Sequence, residues 1–170
     1  MHLVASILLA TMVCLTCFGQ AIGAGQVSAY VPVTKFDAKR DATADISAAT
    51  TEAQRTGRRI ILYVGGPWCP YCDQLETLFQ KNSELRQFRD THFITVSIYI
   101  GSDKNNARAL ASYTPILGIP HFFVLESDGT LLHSQHVVDL REDGAYSPSK
   151  LTAFFTQWAR PEPVAINNAN

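Results

Sequence analysis

The sequence is poor in several residues that particular protein classes depend on. Four cysteines in 170 residues are too few to build a disulfide scaffold. Two methionines, Met1 and Met12, leave almost no thioether. There is no basic excess, because 14 Lys and Arg face 15 Asp and Glu, for a net charge of −1. A chain without surplus positive charge does not hold a phosphate backbone, which excludes a nucleic-acid binder. No apolar run reaches the about 20 residues of a bilayer span. Charge is missing altogether from residues 1–34, since Lys35 is the first Lys, Arg, Asp or Glu.

What is present first is an apolar run, residues 3–18, followed by the small residues Gly19, Ala21, Gly23 and Ala24. That pattern fits a secretory signal over residues 1–24, cut between Ile22 and Gly25. Only Met1 and His2 precede the run, with no Lys or Arg, so a retained membrane anchor is the other reading. The protein is therefore expected to be exported to the periplasm or envelope, and membrane-bound only if the segment stays. Cys14 and Cys17 lie inside the apolar run and read as fillers. Removal of the signal leaves Cys69 and Cys72.

With 46% hydrophobic residues and roughly 100–200 residues per domain as the rule, the remainder is one domain with a real core. Residues 25–40 read as an irregular lead-in, residues 41–160 as the domain and 161–170 as a tail. Ala42, Ile46, Ala49 and Ala53 recur at helical spacing and Gly57 closes them. Residues 60–64 form a continuous apolar run with β-branched members, a strand buried on both faces. Gly65, Gly66 and Pro67 break it. After Cys69, Cys72, Leu75 and Phe79 mark the buried stripe of a helix. Residues 92–100 alternate, with Ile94, Val96, Ile98 and Ile100 on one side and Phe93, Thr95, Ser97 and Tyr99 on the other. A short helix suits 105–112. Residues 122–125 and 130–134 make a hairpin around Ser127, Asp128 and Gly129. Ser147 caps a last helix, Pro148 opens it, and Leu151, Phe154, Phe155 and Trp158 form its stripe. This order predicts an α/β layered domain.

Cys69 and Cys72 follow a strand and open a helix. The helix N-terminus offers unpaired N–H groups and a favourable dipole, which stabilise a thiolate on Cys69. Cys72, one turn on, shares the apolar stripe. The expectation is an exposed attacking sulfur and a sheltered resolving one. Pro70 fits the first turn because its missing N–H would be unpaired there. A structural pair or half a zinc site is the alternative. Zinc usually takes four ligands, and His133 and His136 are too far along the chain and alternate across a strand.

The segment Trp68-Cys69-Pro70-Tyr71-Cys72 after a buried strand, with Gly118-Ile119-Pro120 before another, resembles the thioredoxin superfamily over residues 41–160. The resemblance implies a thioredoxin fold, a central mixed sheet flanked by helices. It implies that Pro120 is cis and packs near the cysteine pair, with Trp68, Pro70 and Tyr71 supporting the site. It also implies that the Ile119 backbone pairs with an extended substrate segment. The closing stretch is similar to exported thioredoxin-like proteins of bacteria. Two departures stand out. Tyr63 occupies the position, six residues before Cys69, where thioredoxins hold a buried Asp. The Pro70-Tyr71 pair matches glutaredoxins and some periplasmic exchange proteins.

His121 follows Pro120 and is a candidate for tuning the sulfurs. His92 reads as a strand start, His133 and His136 as solvent-facing, and Arg58-Arg59 as a solvent-facing beginning of a strand. The function implied is an exported thiol–disulfide oxidoreductase acting on protein disulfides and thiols. It needs a partner that recycles its dithiol, and no organic cofactor or metal. The direction expected is reducing, because His121 is the only positive group the motifs place near Cys69. The alternatives are a disulfide donor or isomerase, a Cu(I) chaperone using the same two thiolates, and a redox-inert binding domain.

Overall fold

Asp41 sets the first regular element, its carboxylate accepting hydrogen bonds from the N–H groups of Thr43 and Ala44. Helix α1 (Ala42–Thr56) runs to Gly57, which ends it in the left-handed region at φ 72°. Strand β1 (Arg59–Gly65) follows, then α2 (Pro70–Lys81), α3 (Ser83–His92) and β2 (Phe93–Tyr99). A short helix α4 (Ala107–Leu110) precedes β3 (His121–Leu125) and β4 (Leu131–His136). A 3-10 turn (Val137–Leu140) leads into a small hairpin, β5 (Arg141–Glu142) and β6 (Ala145–Tyr146). Helix α5 (Pro148–Trp158) completes the domain, capped by Ser147. This computed structural model describes residues 29–101 and 106–161. The expected signal, Cys14, Cys17 and all but the first residue of the tail lie outside them.

The main sheet has the order β2-β1-β3-β4. β1 and β2 are parallel, and β3 is antiparallel to both β1 and β4. Strand alternation splits the core in two. Ile61, Tyr63, Phe122 and Val124 face α2, α3 and α5, where they meet Leu75, Phe79, Leu151 and Phe155. Ile60, Leu62, Val64, Phe123 and Leu125 face α1, with Ala49, Ala53 and Leu110. The Val, Leu, Ile and Phe side chains among these each contribute about 1.5–3 kcal/mol on full burial. Parallel β1 and β2 need a crossover, and α2 with α3 provides it. The lead-in runs beside β2, where the Ser97 N–H donates to the Val33 carbonyl at 2.9 Å.

Several expectations change. Asn82 separates α2 from α3: its N–H donates to the Leu78 carbonyl and its side chain accepts from the Leu85 N–H. His92 ends α3 instead of starting a strand, because Phe93 is the first extended residue and still donates to Arg89. Arg58 and Arg59 are half-buried and tied. Arg59 donates to the Trp158 carbonyl at 3.0 Å and to Glu126 at 3.3 Å, and Arg58 donates to the Asp90 carbonyl at 3.2 Å. Nor do the two strand histidines face open solvent. His133 stacks on Trp158 at 4.5 Å, and His136 covers Gly118, where a Cβ would overlap the imidazole.

Candidate active site

The parallel strand β1 delivers the chain to Gly65, and the turn after it places Cys69 as the N-cap of α2. The Cys69 sulfur accepts a hydrogen bond from the Cys72 N–H at 3.1 Å. That donor belongs to the first turn of α2 and is shared with the Cys69 carbonyl, also at 3.1 Å. Pro70 occupies the first turn as expected. Cys69 and Cys72 are joined in a disulfide, with Cα atoms 5.2 Å apart. A Cβ on Gly65 would lie 2.8 Å from the Cys72 sulfur and 2.8 Å from Phe36, so β1 must end in glycine for the sulfur to seat.

One expectation about exposure is corrected. Cys69 is 4% exposed and Cys72 2%, so in the disulfide both sulfurs are sheltered in the same core cluster. The exposed residues are their flanks, Trp68 at 54% and Tyr71 at 40%. The second motif comes to the first. The Ile119–Pro120 bond is cis. Trp68, Gly118 and Ile119 line one open depression of about 650 Å³, together with Ile116 and Leu117. Pro120 is held at the start of β3 by its carbonyl, which accepts from the Val137 N–H at 3.1 Å.

His121 is placed differently from the other candidates. It is 3% exposed, and its Nε2 lies 2.8 Å from the Ser134 hydroxyl. Its ring packs 4.6 Å from Phe123, on the α1 face, whereas the cysteines pack on the opposite face with Phe122. Burial pushes its pKa down to about 4, helped by His136 and His133. It is neutral at pH 7 and brings no positive charge to the sulfurs.

Tyr63 stands under the motif in place of the usual acid. It is 1% exposed, and its hydroxyl donates to the Cys72 carbonyl at 3.3 Å. Burial, then the carboxylate of Glu76, drive its pKa far above the ordinary tyrosine range, so it stays neutral. Glu76, one turn beyond Cys72, is itself raised by burial. Both line a chamber of about 310 Å³ with Tyr30, Arg89 and Thr95.

The sequence reading missed Arg141. Its guanidinium lies 4.5 Å over the Tyr71 ring and 5.6 Å from the Tyr146 ring. It donates to Gln74 on α2 at 3.3 Å and to the Gly144 carbonyl. It reaches the motif from the β5–β6 hairpin, seventy residues after Tyr71. No local pattern signals that contact.

A family model described as thioredoxin-like matches residues 41–127. The chain belongs to the thioredoxin-like family. A disulphide isomerase from Xylella fastidiosa Temecula1 is similar at 26% identity and a TM-score of 0.64, covering 75% of this chain and 97% of that one. The oxidised DsbD C-terminal domain of Neisseria meningitidis shares the fold at 20% identity and a TM-score of 0.54, over 69% of this chain and 96% of that one. A thioredoxin from Thermus thermophilus has 19% identity and a TM-score of 0.50, over 65% and 81%. No curated protein matches the sequence. A thioredoxin-like domain with a bonded Cys-Pro-Tyr-Cys pair is a thiol–disulfide oxidoreductase. Among the described residues no helix is long and apolar enough to cross a membrane.

Proposed function

We propose that the protein is an exported reductant of protein disulfides, or is held reduced to exchange them. The Cys69 thiolate attacks a substrate disulfide, one substrate sulfur leaves as a thiolate, and a mixed disulfide forms. The Cys72 thiol then loses its proton and attacks the Cys69 sulfur. This releases the second substrate thiol and leaves Cys69–Cys72 oxidised. A redox partner returns two electrons to restart the cycle.

The observation that carries this reading is the capping position of Cys69. Its sulfur already accepts a first-turn N–H, the arrangement that favours a thiolate. The apolar depression lined by Trp68, Leu117 and Ile119 supports docking of an extended substrate segment beside it. Export is supported by the uncharged, apolar first 34 residues. The direction is supported by the domain's small size, with only α4 between β2 and β3 in the described residues and no large helical lid.

The test is thiolate absorbance of Cys69 against pH, beside reduction of insulin by the dithiol. A pKa moderately below the free value of about 8.5 and catalysed insulin precipitation are expected. A pKa of about 4 overturns the reducing direction, and failure to reduce insulin overturns the activity proposed.

A further inference from the structure

The geometry points to Arg141 as a positioning residue of the dithiol: stacked on Tyr71, it fixes a positive charge at the N-terminal turn of α2 and stabilises the Cys69 thiolate. This inference rests on the oxidoreductase reading and adds a residue to it.

Three observations converge. Tyr71 lies between the two cysteines and is 40% exposed, yet its ring is covered on one face by the Arg141 guanidinium at 4.5 Å. The same guanidinium donates to Gln74, three residues on and on the same face of α2, so it spans the first turn of the helix. The hairpin is anchored independently of the motif. Lys150 on α5 donates to the Arg141 carbonyl at 2.9 Å, and the Ser147 N–H donates to Leu140 at 3.1 Å. Arg141 is thus held over the motif from a fixed base.

The placement is unusual for the helix alone. The first turn carries the positive end of the dipole, and a cation there opposes it. An anion at the same end removes the conflict, and the Cys69 thiolate is such an anion. The charges around it are mixed. Asp73 lies on the same turn, Glu142 and Asp143 lie on the hairpin, and Lys150 comes from α5. None of these three acidic groups is bonded to Arg141, whose polar contacts are Gln74 and Gly144. Its Nε is buried and unpaired among the described residues. Arg cannot deprotonate, so its charge persists at every working pH.

The consequence is a shifted equilibrium. Two glutathione thiols reduce the Cys69–Cys72 disulfide, giving two cysteine thiols and one glutathione disulfide. A stabilised Cys69 thiolate favours the reduced side and makes the disulfide a better oxidant. It also brings the attacking thiol nearer the ambient pH, where exchange is fastest.

The experiment compares full-length wild type, Arg141→Gln and Arg141→Lys. It measures the equilibrium with glutathione and the pH dependence of Cys69 alkylation by iodoacetamide. Arg141→Gln is expected to lower the reduction equilibrium constant at least twofold and to move the alkylation midpoint to higher pH. Arg141→Lys is expected to recover most of both. A shift below twofold, or a Lys variant that follows Gln, overturns the role of the charge. If Arg141→Gln does not fold, Tyr71→Leu breaks the same stack from the exposed side and must move both readouts in the same direction; unchanged readouts overturn the inference. A wild type that never exchanges with glutathione overturns the oxidoreductase reading itself, a result distinct from equal constants in wild type and variant.

Discussion

The Tyr63 hydroxyl reaches across from β1 and donates to the Cys72 carbonyl at 3.3 Å. The buried side chain beneath the dithiol is therefore a neutral hydrogen-bond donor. Tyr63→Phe should cost about 1 kcal/mol of stability through loss of that bond. The pH profile of insulin reduction between pH 5 and 9 should stay where it is, because Tyr63 does not ionise there. A displaced profile would give the hydroxyl a role in proton transfer.

The two sulfurs should separate by role. Cys69→Ser should abolish insulin reduction, whereas Cys72→Ser should accumulate mixed disulfides with substrate. Alkylation of the reduced protein at neutral pH, read by peptide mass, should label Cys69 first. Earlier labelling of Cys72 would reverse the assignment.

Gly65→Ala tests the seat of the resolving sulfur. The new Cβ would stand 2.8 Å from the Cys72 sulfur and equally close to the Phe36 ring. Cys72 is 2% exposed and cannot move aside without disturbing the core, so about 1–3 kcal/mol of destabilisation is expected from overpacking. Denaturant unfolding checks the stability, and the glutathione equilibrium should move with it. Wild-type values for both would mean that the sulfur is not confined by β1.

His121 predicts acid sensitivity. Its pKa falls from 6.5 to about 4 on folding, so between these values the unfolded chain binds the extra proton. Its contribution is full above pH 6.5 and is lost as pH falls through 6.5 towards 4, on the order of 2–3 kcal/mol. Unfolding free energies at pH 7.5 and 4.5 should differ less in His121→Thr than in wild type. An equal difference would show that the imidazole does not carry the effect.

What the sequence made legible was local. The strand of residues 60–64, the cysteine pair opening a helix and the capped helix at Pro148 each advertise themselves within a few residues. Helix α3 did not, because Leu85 is its only fully buried residue and Asn82 serves both helices at once. The face of His121 was readable in principle. Strand alternation puts it opposite Phe122, and Phe122 packs with the cysteines. Arg141 over Tyr71 was not readable, since the contact depends on how a hairpin after the main sheet docks on α2.

The lead-in's bond from Ser97 to Val33 has a bearing on self-association. β2 is one margin of the four-stranded sheet, and its outward N–H and C=O groups would otherwise template a foreign strand. With Val33 5% exposed and its carbonyl engaged by Ser97, that margin is partly occupied by the chain's own backbone. Growth of the sheet by a second copy is thereby directed away from β2 and towards β4, the opposite margin.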